Sequence, residues 1–105
     1  MRRVKLFEES IHISYLEGNG NYTLVHFIDG SALLLAKTLS LCMNELPQFA
    51  RIHKRHAVNP QHILDLKVNS PKTAEVLVGS VWLAISRRRL PEVLERLQPQ
   101  KVRDA

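Results

Sequence analysis

The sequence predicts a mostly β protein, with about eight short strands in antiparallel arrangement and two short helices. Three observations carry that expectation. Short apolar segments recur along the chain, separated by the turn signals EGNGN, DGS, NP and GS. Only two segments have apolar residues at helical spacing. Strands and helices do not alternate as they would around a parallel sheet, so hairpins dominate. The length of 105 residues, with 45% hydrophobic and 24% charged, suits one globular domain over residues 1–105.

The elements follow in order. VKLF (4–7) and IHISYLEG (11–18) read as strands, with Ile11, Ile13 and Tyr15 on one face of the second. Gly18, Asn19 and Gly20 supply a tight turn. NYTLVHFIDG (21–30) has β-branched and aromatic residues on both faces, as a strand covered on two sides would. Asp29 to Ser31 makes a second hairpin turn into ALLLA (32–36). Thr38 is a helix N-cap, and Leu39, Cys42, Met43 and Leu46 form one apolar stripe that Pro47 ends. Cys42 on that stripe is a core residue.

RIHKRHAVNP (51–60) has five basic or histidine side chains in its first six positions and no acid. Neither alternate set of its residues makes a clean core face. It reads as a strand end at Arg51 to His53, an exposed irregular segment at Lys54-Arg55, a return to the core at Ala57-Val58, and a turn at Asn59-Pro60. HILDLKV (62–68) is a strand with Leu64, Leu66 and Val68 on one face. AEVLV (74–78) and VWLAIS (81–86) flank the turn Gly79-Ser80, which suits type II′. Ser86 is placed to cap a last helix, RRRLPEVLERL (87–97), with the stripe Leu90, Val93, Leu94 and Leu97. Pro91 restricts the start of that helix to about Arg88 to Leu90. The tail 98–105 reads as frayed.

Composition narrows function. The net charge of +5 and pI near 9.8 favour a polyanionic partner. Six of the 15 cationic side chains sit in two acid-free clusters: Arg51, Lys54 and Arg55, then Arg87, Arg88 and Arg89. One cysteine excludes an internal disulfide and fits a reducing cytoplasm. No apolar run approaches the roughly 20 residues that span a bilayer, and Glu8 and Glu9 interrupt any signal sequence. The expected location is therefore cytoplasmic, away from membranes.

Metal and enzyme chemistry are not indicated. His53 and His56 are three apart, which on one strand places them on opposite faces; His62 lies nearby without a Cys or carboxylate beside it. His12 and His26 alternate with apolar residues as ordinary strand histidines. The acids are scattered singly apart from Glu8-Glu9, and GxSxG, Walker loops and GxGxxG are all missing. No cofactor, metal or small-molecule substrate is expected.

Three stretches together resemble one family. ISYLEGNGNYTLVHFIDG, then KTLSLCMNELPQFARIHKRHAVNP, then LAISRRRLPEVLERL are similar to the LytTR DNA-binding domain found in bacterial response regulators, over about residues 11–97. The resemblance implies an elongated β-strand arrangement that binds promoter double-stranded DNA, usually at repeated sites, through loops and strand ends. It is compatible with a homodimer on DNA. Carried over by position, the contact elements are Asn19, Asn21 and Tyr22; then Arg51, His53, Lys54 and Arg55; then Arg87, Arg88 and Arg89. Where the family usually has Ser and an aromatic, this chain has Arg55 and His56, so base preference is not carried over there. No receiver domain precedes the match, so the sequence reads as a stand-alone regulator or an excised domain.

An RNA-binding module would share the charge but would want exposed aromatics, and the six present stand mostly at core-like positions. A protein-interaction module would have no need of Lys54 and Arg87. Between the arginines, Arg87 follows a core strand and precedes a helix, which predicts a backbone held on both sides. Arg55, in the irregular segment, is expected to be freer.

Overall fold

The computed structural model describes the backbone of residues 5–101 and the side chains of residues 5–97. Eight strands in this range form two antiparallel sheets. The larger contains β1 (Ile13–Asn19), β2 (Tyr22–Phe27), β3 (Ala32–Leu35), β4 (Ala50–His53) and β5 (His56–Val58), in the order β3-β2-β1-β5-β4. The smaller is a meander of β6 (Ile63–Ser70), β7 (Thr73–Val78) and β8 (Val81–Ile85). Three α-helices join them: α1 (Leu6–Glu9), α2 (Leu39–Glu45) and α3 (Leu90–Lys101). The molecule is elongated, 49 × 25 × 22 Å.

The five-stranded sheet is covered on both faces, and alternation along its strands feeds two cores. On one face Leu16, Val25 and Ala57 pack with Leu6 of α1, with Leu39, Cys42 and Leu46, and with Phe49. On the other, Ala50, Ile52 and Val58 meet the inner face of the small sheet (Ala74, Val76, Val78, Leu83, Ile85) and Leu90, Val93 and Leu97 of α3. Consecutive residues Ala57 and Val58 therefore serve different cores. Thr38 caps α2, its hydroxyl accepting from the Leu41 N–H at 3.2 Å.

Two hairpins have the predicted chemistry. Gly79 sits at φ 61 between the paired Val78 and Val81, and no described non-glycine residue is left-handed, as type II′ requires. The loop after β1 is built the same way, but from Gly20 (φ 61) and Asn21; Gly18 belongs to the strand.

Several expectations are corrected. Residues of VKLF from Leu6 onward form the start of helix α1, not a strand; Val4 lies outside the described residues. Ile11 is exposed in a 3-10 turn (Ser10–His12), and a register shift between Ile13 and Tyr15 breaks the face assigned to Ile11, Ile13 and Tyr15. Leu64 and Val68 are exposed, because another shift between Ile63 and Asp65 gives the buried position to Ile63. Ser86 is not an N-cap, since α3 begins at Leu90; its carbonyl instead accepts from the Arg89 N–H. Met43 and Leu94 are half-buried. Of the tail, residues 98–101 continue α3, and 102–105 lie outside the described residues.

Candidate nucleic-acid interface

The basic stretch is a hairpin. β4 and β5 pair His53 with His56, leaving Lys54-Arg55 as a two-residue turn where an irregular segment was expected. The turn also brings the two histidine rings to 5.8 Å, where a single extended strand would have kept them apart. Among the described residues no group of three or more His, Cys, Asp or Glu is arranged to hold a metal ion.

Several bonds hold this turn. Arg51 donates from Nε to the His53 carbonyl at 3.0 Å and from Nη2 to the Lys54 carbonyl at 2.6 Å. Nδ1 of His53 accepts from the Arg55 N–H at 3.1 Å, which requires that nitrogen to be unprotonated. Arg55 is tied to the neighbouring strand: its carbonyl accepts from the Gly18 N–H at 2.7 Å and its Nε donates to the Gly18 carbonyl at 3.3 Å. The freedom expected of Arg55 is thus overturned. Only Lys54 of this turn makes no side-chain hydrogen bond or ion pair among the described residues.

Those bonds to Gly18 set the Lys54-Arg55 turn beside the Gly20-Asn21 turn, at one end of the large sheet. Asn19, Asn21 and Tyr22 are all exposed there. Gly18 is needed for the approach of α2: a Cβ at this position would stand 2.9 Å from Cβ of Leu39. The third segment joins through the backbone, the Ser86 N–H donating to the Ile52 carbonyl at 2.8 Å. Bonds from the Arg89 N–H to the Ser86 carbonyl (3.0 Å) and from the Leu90 N–H to the Arg87 carbonyl (3.3 Å) fix the following turn. The Arg87 backbone is held on both sides, while the Arg87 and Arg88 side chains are exposed and unbonded among the described residues. Arg89 is half-buried.

Electrostatics distinguish these cations. Burial, and then the nearby charge of Arg89, push the Arg51 guanidinium down from its usual range, though an arginine remains charged. Burial lowers His56, partly opposed by Glu17 and reinforced by His53, Arg55 and His26. Glu17 itself is engaged by His26, Oε1 lying 3.1 Å from Nε2. His26 in turn stacks on Tyr15 with ring centres 4.0 Å apart.

Sequence reasoning missed one residue that braces the opposite end of β1 and β5 from these turns. Asn59 is 2% exposed and joins the N-terminal segment to β5. Its Nδ2 donates to the Ser10 and Ile13 carbonyls, each at 3.0 Å, and its Oδ1 accepts from the Gln61 N–H at 3.0 Å. Asn before Pro signals a turn, and nothing local signals those distant carbonyls. Aromatic placement is also corrected: Phe7, Tyr22 and Trp82 are exposed.

The family model described as the LytTr DNA-binding domain matches residues 7–98. The chain belongs to the LytTr DNA-binding domain family. A solved structure from Bacillus cereus, described as a LytTr DNA-binding domain, is similar to this LytTr domain with a TM-score of 0.72 and 19% sequence identity. The alignment covers 83% of this chain and 82% of that one, and at such identity it shows the shared fold. None of the curated proteins matches the chain. The family is one of DNA binding and not of catalysis, and no helix among the described residues is long and apolar enough to cross a membrane.

Proposed function

We propose that this LytTr domain binds promoter double-stranded DNA sequence-specifically, as the output module of a bacterial cytoplasmic transcription regulator. The observation that carries the reading is the convergence of the Gly20-Asn21 turn, the Lys54-Arg55 turn and the Arg87–Arg89 turn through backbone bonds at Gly18 and Ile52. A rigid end of this kind places cations at fixed spacing, as phosphate docking requires, and orients side chains toward base edges. Lys54, exposed and unbonded among the described residues, is a phosphate contact. Arg87 is the reader, its fork able to meet guanine O6 and N7. Asn21 and Tyr22 contact the adjoining groove or backbone, and Arg55, Arg88 and Arg89 add phosphate attraction. Repeated sites would seat two copies side by side.

RNA stacking is less well supported. Of the exposed aromatics only Tyr22 stands at the basic end; Phe7 is on α1, and Trp82 lies far along β8 from Arg87. The test is selection of bound sequences from a random duplex pool with the purified chain. Enrichment of a common motif is expected, and recovery of unenriched sequence would overturn sequence-specific recognition.

A further inference from the structure

Resting on the DNA-binding reading, the geometry points to Arg51 as a positioning residue that braces the Lys54-Arg55 turn and thereby sets where Lys54 stands, without itself meeting DNA. Sequence and charge place Arg51 among the DNA contacts, but the structure gives its side chain another task. Nε and Nη2 donate to two successive carbonyls, those of His53 and Lys54, which lie on either side of the Lys54 side chain's own attachment. A guanidinium can do this because its donors are fixed in one plane; an ammonium cannot hold two carbonyls with the same orientation.

The turn has reason to need such a brace. Two-residue hairpin loops fit the twist of their strands when a central residue is left-handed, as in types I′ and II′. Lys54 and Arg55 are not left-handed, since no described non-glycine residue is. The strand pairing also shifts register between Arg51 and His53. A hairpin closed by a less suitable turn beside an irregular register leaves carbonyls in want of donors, and Arg51 supplies them. The side chain is half-buried and makes no ion pair among the described residues, so these carbonyls are its principal partners. Lys54 and Arg55 stand exposed beyond it.

The experiment compares Arg51→Lys, Arg51→Met and Lys54→Gln in the full chain, on an enriched duplex across a salt series. Amide hydrogen exchange of residues 54–56 is measured without DNA. Arg51→Lys keeps the charge and loses the fork. It is expected to bind roughly 5- to 20-fold more weakly, and Arg51→Met is expected to do the same. Lys54→Gln should lower the slope by roughly 0.9, as loss of one phosphate contact does. Both Arg51 variants should speed exchange at Arg55 and His56. Full affinity for Arg51→Lys, which keeps the charge without the fork, would make Arg51 a phosphate contact and overturn the proposal. Unchanged exchange at residues 54–56 in both variants would overturn it too, whether or not any duplex is bound. Failure of the unmodified chain to bind any duplex would instead sink the DNA-binding reading, and the exchange measurement would still judge the brace.

Discussion

Asn59→Asp replaces one atom group in a nearly closed environment, and its cost can be worked from the bonds. The acceptor side is unchanged, because Oδ1 can still receive the Gln61 N–H. The donor side is inverted: where Nδ2 gives hydrogens to the Ser10 and Ile13 carbonyls at 3.0 Å each, a carboxylate oxygen would face two carbonyl oxygens. Two lost hydrogen bonds to groups with restricted water access cost about 1–3 kcal/mol each, and the buried charge adds to that. A loss of about 3–5 kcal/mol at pH 7 is expected, a large part of the stability of a chain this size. Protonating the new carboxyl restores one donor, so its folded pKa is raised. The contribution is then favourable below the unfolded value near 4 and is lost as pH rises, so the deficit should narrow toward pH 4. Urea denaturation at pH 4.5 and pH 7.5 checks this. A deficit under about 1 kcal/mol at pH 7.5, or one that widens on acidification, would refute the reasoning.

Gly18→Ala should destabilise by about 0.5–2 kcal/mol by the same assay: overpacking against Leu39 costs about 1–3 kcal/mol, partly offset by reduced freedom of the unfolded chain. Arg87→Ala should cost about 1–3 kcal/mol on the preferred duplex and far less on random duplex, as competitive titration would show; equal losses would demote it to a phosphate contact. His56 is depressed by burial, so its neutral form favours the fold: its contribution is present above the unfolded value near 6.5 and lost as pH falls through the lower folded value. Comparing the pH dependence of urea midpoints for the unmodified chain and His56→Phe should show less loss below pH 6.5 in the variant, and parallel curves would contradict it.

What the sequence made legible is local. The Thr38 cap with the stripe of α2 and the Gly79-Ser80 turn specify structure through residues a few positions apart, and each formed as read. Helix α1 was hidden because four residues carry no measurable periodicity; burial of Leu6 against α2 fixes its place. The β4–β5 hairpin was hidden because Lys54-Arg55 contains no Gly, Asn or Asp, and the Arg51 side chain does the work of turn chemistry. For the candidate site, charge clustering and family likeness brought out the three segments. Their juxtaposition depends on backbone bonds from Gly18 to Arg55 and from Ser86 to Ile52, pairs far apart in sequence. Asn59 escaped for the same reason.

The central claim, that the basic end of the sheet docks on duplex DNA, is tested most directly by the salt dependence of binding. Affinity for an enriched duplex, measured by fluorescence anisotropy over a salt series, should give log K falling against log salt with a slope of roughly −4 to −7. That slope corresponds to release of the counterions displaced by Lys54, Arg55, Arg87, Arg88 and Arg89 with the adjoining turn. A slope near zero would contradict the account.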